Sequence, residues 1–108
     1  MEDIEAVLIS YTITTNEYKQ EVRVENRNTV FVETDDIKRL EFYSAGKAGL
    51  NPQFMLKTAI IDYNGEREVE VDGKRYGIYR TYKVDKDYIE LYCEEKGGLY
   101  AKQQSQTD

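Results

Sequence analysis

The sequence predicts an all-β protein: a small six-stranded barrel or sandwich, with one short helix and a long flexible loop inserted after the second strand. Three observations carry this. Segments in which apolar and polar residues alternate recur along the chain, as strands with one buried face require. The dipeptides Asn64-Gly65 and Asp72-Gly73 tolerate the positive φ of tight strand reversals. One stretch alone, Ile37 to Ala45, shifts to helical spacing. Closure into a barrel hides edges that a small open sheet would expose.

Taken in order, Ile4 to Thr14 reads as the first strand, with Val7, Ile9, Tyr11 and Ile13 on one face and Ala6, Leu8 and Thr12 on the other. Two largely apolar faces suit a strand inside a barrel or at a subunit contact. Tyr18 to Thr34 reads as a long second strand; Asn26 and Asn28 interrupt it, and a bulge or break is expected there. Asp35 or Asp36 then caps the helix of Ile37 to Ala45, in which Ile37, Leu40 and Tyr43 recur at helical spacing. Gly46-Lys47-Ala48-Gly49 stops the helix and opens a mobile segment, and Leu50-Asn51-Pro52 restarts an extended chain. Gln53 to Tyr63 is the third strand. The Asn64-Gly65 and Asp72-Gly73 reversals make Ile60 to Tyr82 a β-meander, with Arg67, Val69 and Val71 facing one way and Glu68 and Glu70 the other. In its last strand Tyr76, Ile78, Arg80 and Tyr82 alternate with Arg75, Gly77, Tyr79 and Thr81. After a turn at Val84 to Asp87, Tyr88 to Glu95 closes the fold with Ile89, Leu91 and Cys93 inward. The expected organisation is one domain over 1–98, carrying the helix–loop insertion at about 36–52, and a polar, Gln-rich tail over 99–108.

Composition narrows the function. The 108 residues carry a net charge of −6, with 21 acids against 15 bases. Gripping a phosphate backbone or an anionic membrane needs clustered Lys and Arg, so neither is expected. One cysteine and no histidine exclude an internal disulfide and a Cys/His zinc site within one chain. The opening MEDIEAVLIS has no basic n-region and no long apolar run, so it reads as neither signal peptide nor membrane span. Common nucleophile–base sets are missing as well, and the chain reads as a non-enzyme without cofactor or metal. Adjacent acids such as Glu94-Glu95 point to opposite faces of a strand. Gly46-Lys47-Ala48-Gly49 lacks the spacing of a phosphate loop. Ten tyrosines stand out. Tyr76, Tyr79, Tyr82, Tyr88 and Tyr92 would suit base stacking on an OB-like barrel, but the neighbouring acids Glu66, Glu68, Glu70, Asp72, Asp85 and Asp87 offset Lys74, Arg75, Arg80 and Lys83. Core and interface packing is the expected use of these rings.

Several blocks together are more specific. Glu41-Phe42-Tyr43-Ser44-Ala45-Gly46-Lys47-Ala48-Gly49-Leu50-Asn51-Pro52 is followed by Asp62-Tyr63-Asn64-Gly65-Glu66, by Val71 to Tyr82 (VDGKRYGIYRTY), and by Glu90-Leu91-Tyr92-Cys93-Glu94-Glu95-Lys96. In order and spacing these resemble the head–tail joining proteins of tailed bacteriophages, also called head closure, head completion or stopper proteins. The likeness spans about residues 4 to 97. It implies a small barrel that is monomeric alone and assembles as a ring, typically of twelve subunits, below the portal and adaptor proteins. That ring closes the DNA exit channel after packaging and offers the tail its docking surface. The implied location is the capsid–tail junction of a virion, phage or prophage in origin, after synthesis in the bacterial cytoplasm. Carried over by position, Lys47, Ala48, Gly49, Leu50 and Asn51 look like the channel or gating loop. Leu40, Glu41, Phe42, Tyr43, Gly46 and Pro52 look like its anchoring helix and hinges, and Tyr11, Tyr79, Arg80 and Tyr82 like interface residues. Double-stranded DNA would pass an acidic bore without sequence-specific binding. A tail-side completion protein of the same joint is the alternative within this class, and a single-strand-binding OB-like barrel the alternative outside it.

Overall fold

A computed structural model describes residues 3–95. The expected tail at 99–108 lies outside the described residues. The described residues form six strands: β1 (Asp3–Thr15), β2 (Glu21–Asp35), β3 (Pro52–Ala59), β4 (Glu68–Val71), β5 (Lys74–Lys83) and β6 (Tyr88–Glu95). One helix, α1 (Arg39–Lys47), lies between β2 and β3, and a single 3-10 turn, Ile60–Asp62, follows β3. All strand pairs are antiparallel, and the sheet closes into a barrel in the order β1-β2-β3-β6-β5-β4, with β4 returning to β1. The mainly β class with one inserted helix is therefore the class the sequence predicts.

The core follows the alternation. Ala6 and Leu8 from β1, Val30 and Val32 from β2, Leu56 from β3, Val69 from β4 and Ile89, Leu91 and Cys93 from β6 form one buried cluster. Phe54 and Tyr76 meet edge to face at 4.6 Å beside it. Burial lifts the Cys93 thiol to about 12. It thus stays a neutral, unreactive thiol at cellular pH. The Asp72-Gly73 reversal forms as predicted: both residues have positive φ, 53° and 75°, and Val71 pairs directly with Lys74. This is the backbone of a two-residue hairpin loop.

Other expectations are corrected. Asn64-Gly65 is a turn, with Gly65 at φ +83°, but it does not join neighbouring strands. β3 pairs with β2 and β6, and β4 pairs with β1 and β5, so the segment crosses the barrel end instead. Its 3-10 turn ends the third strand at Ala59, not Tyr63, and only β4–β5–β6 is a meander in the strict sense. Turn chemistry reports local φ; which strand lies alongside is settled by long-range packing. The same crossing buries Glu66, whose carboxylate accepts from the Asn64 amide at 2.7 Å while its own carbonyl accepts from Tyr63 Oη at 2.8 Å. Tyr79 is an extra residue in β5: the β5–β6 register shifts between Ile78 and Arg80, which ends the simple alternation after Ile78.

No break occurs at Asn26–Asn28. The β1–β2 register runs without interruption from Asp3↔Glu33 to Thr15↔Glu21. The physical reason is position. β1 meets β4 only at Val7–Ile9, and β2 meets β3 only at Glu33–Asp35. Beyond Ile9 and Arg27 the hairpin projects past the barrel as a two-stranded arm, where polar side chains face water at no cost. Asn26 donates to Thr12 Oγ1 at 2.8 Å across the two strands. The arm root is braced by charge. Arg75 reaches Glu68 at 3.2 Å and Glu25 at 3.4 Å, and Arg27 reaches Glu25 at 2.8 Å and Glu70 at 3.0 Å. Tyr11 donates to Glu68 at 2.9 Å and carries the Arg23 guanidinium over its ring at 3.8 Å.

Candidate functional site

Helix α1 begins without the expected cap. Its N-cap residue is Lys38, which makes no side-chain cap bond, and Asp35 Oδ1 instead accepts from the Asp36 amide. The helix also starts later than predicted and runs two residues further, through Gly46 and Lys47. It stops in a Schellman motif: the Leu50 amide donates to Ala45 and the Gly49 amide to Gly46, each at 3.0 Å, with Gly49 at φ +84°. The insertion therefore ends in the short turn Ala48–Asn51, not in a long flexible loop. Asn51 is tied down on both sides, since Glu95 N donates to its carbonyl at 3.1 Å and its amide donates to Glu95 Oε1 at 3.1 Å. Pro52 is buried at the start of β3.

The two glycines thus have different roles. Gly46 is an ordinary helical residue with open space where a Cβ would go, so it is not the hinge the sequence suggested. Gly46→Ala is expected to raise stability by about 0.5–1 kcal/mol, because alanine loses less backbone entropy in a helix. Gly49→Ala forces a left-handed residue and is expected to cost about 1–2 kcal/mol. Urea melts of the two variants should shift in opposite directions.

What holds α1 to the barrel is a clamp of three side chains. Arg80 grips Glu41 from two nitrogens, Nε at 3.1 Å and an Nη at 2.5 Å, and Tyr79 Oη donates to the same carboxylate at 2.7 Å. The guanidinium also lies 3.9 Å over the Tyr92 ring. This two-point grip on a carboxylate fixes orientation as well as distance. The bulge at Tyr79 is what lets two consecutive residues, Tyr79 and Arg80, reach one target. The Arg80 bond holds the Glu41 carboxyl below the usual carboxylate range. Burial, and then the bond to Glu41, push the Tyr79 phenol well above the usual tyrosine range. Tyr92 is pushed up to about 12, by burial and then by its bond to Glu90. Beneath the helix lies a cleft of about 390 Å³ lined by Asp35, Lys38, Ser44, Met55 and Glu90 among others.

A depressed carboxyl contributes stability above its unfolded pKa and loses it as pH falls through the folded value. The clamp should therefore be fully present above the ordinary glutamate range and fade as pH falls below it. Glu41→Gln is expected to be less stable than the parent by about 1–2 kcal/mol at pH 7. The two should converge at low pH, as read by urea melts across pH.

With Glu41 and Ala45 turned inward, α1 leaves Leu40 (76% exposed), at the rim of the cleft, and Phe42 (54%) and Tyr43 (63%) open to solvent. Lys47 Nζ sits 4.8 Å over the Tyr43 ring. This departs from the usual amphipathic arrangement: the acid Glu41 faces the protein, while Leu40, Phe42 and Tyr43 stay exposed beside the bases Arg39 and Lys47. Of the residues expected at interfaces, Tyr82 is exposed on the surface, whereas Tyr11 serves the arm root and Tyr79 and Arg80 serve the clamp. The sequence reading missed that Glu41 is the anchor; its signal was the one acid within the apolar run of α1. The tyrosines weighed for base stacking do not share a face: Tyr76 packs at the core edge on Phe54, while Tyr79 and Tyr92 sit with Arg80 under α1. No protein-family description matches the chain, and neither does any curated protein.

Proposed function

We propose that this chain is a structural subunit of a phage-type head–tail connector. About twelve copies form a ring below the portal and adaptor, close the DNA exit channel and present a surface to the tail. The observation that carries this reading is the outward apolar face of α1, held rigidly by the Glu41–Arg80–Tyr79 clamp. A docking element needs exposed anchors that are already in place before binding. The block resemblance to head-closure proteins assigns the same segment, Leu40 to Pro52, to the channel side. The turn Lys47–Asn51 then sits at the bore as a capped, braced projection, and movement there is of α1 and its turn together. Net negative charge keeps DNA from adhering to the wall.

The test is DNA retention. Capsids filled in the presence of the protein, with the portal and adaptor encoded alongside it, are expected to stay full after nuclease challenge. Capsids filled without it should lose DNA. Equal retention in both would remove the connector assignment.

A further inference from the structure

We propose that the open edge of β2 is a self-recognition strand, by which two copies of the free protein pair antiparallel about a two-fold axis at Val24. Among the described residues, nothing pairs with β2 on the side away from β1 until Glu33. Thr58 Oγ1 donates to the Phe31 carbonyl at 3.3 Å, from the β3 side. Peptide groups of odd-numbered residues therefore face that edge, and those of Glu21, Arg23, Glu25 and Arg27 are open to it. Such an edge is a ready template for another strand.

The sequence of the edge says which strand fits. Glu21-Val22-Arg23-Val24-Glu25-Asn26-Arg27 reads minus, plus, minus, plus at its odd positions. Laid antiparallel on itself about Val24, it sets Glu21 opposite Arg27 and Arg23 opposite Glu25, each twice, with the open peptide groups of both strands in register. Shifting the axis by one residue, to Arg23 or Glu25, sets like charges opposite each other throughout. An axis at Asn26 keeps only the Glu25–Arg27 pairs and drives the overlap into the Phe31 carbonyl already held by Thr58. An axis at Val22 keeps the Glu21–Arg23 pairs but overlaps only residues 21–23 of the strand, which starts at Glu21. Charge and strand length together thus select the Val24 register, and the charges would repel most unrelated strands. On the other face Val24 meets its own copy and Val22 meets Asn26. This covers apolar side chains that the single chain leaves 43% and 37% exposed. The inference is independent of the connector reading, and it differs from the monomer that the family resemblance implies for the free protein.

Sedimentation equilibrium of single charge reversals tests it. The parent is expected to dimerise. Arg23→Glu alone places acids opposite Glu25, and Glu25→Arg alone places bases opposite Arg23. Each should weaken the dimer by about tenfold or more. An equimolar mixture of the two should restore it as a heterodimer, because every facing pair is again opposite in sign. Val24→Lys, which touches none of the ion pairs of the arm, should also give a monomer, with the parent's circular dichroism spectrum and a melting curve that no longer depends on protein concentration. A monomeric parent, variants that dimerise like the parent, or a mixture that stays monomeric would each overturn the proposal.

Discussion

Leu91→Ala should cost about 3 kcal/mol, within the range of 2–5 kcal/mol seen when a fully buried leucine is truncated. Leu91 is 0% exposed in the centre of β6, the strand that joins β3 to β5. It faces Leu56 across one ladder and Thr81 across the other. A domain of this size holds only about 5–15 kcal/mol in total, so the loss is a large share. At about 4–8 °C per kcal/mol, melting should fall by more than about 12 °C. A fall of under about 4 °C, measured by circular dichroism, would mean the barrel is not packed around this residue.

The second large effect is on assembly and spares the fold. Replacing Leu40, Phe42 and Tyr43 together with glutamine keeps helix propensity and leaves the Glu41 clamp untouched. Exposed substitutions of this kind change stability by no more than about 0.5 kcal/mol each. If α1 is a docking element, the same change removes its anchors. Apolar and aromatic anchors contribute on the order of 1–4 kcal/mol each at a buried contact, so affinity for the portal–adaptor complex should drop at least about 100-fold. Unchanged stability with unchanged binding would assign these residues no role.

The contrast between the two variants shows what was legible in the sequence. Leu91 announces itself: it alternates with Ile89 and Cys93, and all three face inward. The hairpin at Asp72-Gly73 and the whole of β6 are equally local statements, and they form as read. The errors fall where distant parts of the chain decide. Asn64-Gly65 has the right backbone, but β4 finds its partner in β1, over fifty residues earlier. Asn26 and Asn28 look like interruptions only if the strand is assumed to be buried; Asn26 lies in the arm and Asn28 at its root, and both are exposed. The Tyr79 bulge has no local signature, yet it creates the clamp by bringing Tyr79 and Arg80 to Glu41. Within the segment Leu40 to Pro52, what the sequence did not disclose is the mechanics. Gly46 suggested a hinge because glycine permits many conformations, whereas the Schellman bonds at Ala45 and Gly46 show a closed helix end.

The most direct measurement is single-particle electron microscopy of the protein bound at the portal–adaptor vertex of DNA-filled capsids. A closed ring is expected, in which the exposed side of α1, with Leu40, Phe42 and Tyr43, is covered by a neighbour or lines the narrowest part of the bore. Vertices without a ring, or a ring in which that face of α1 points into bulk solvent, would contradict it.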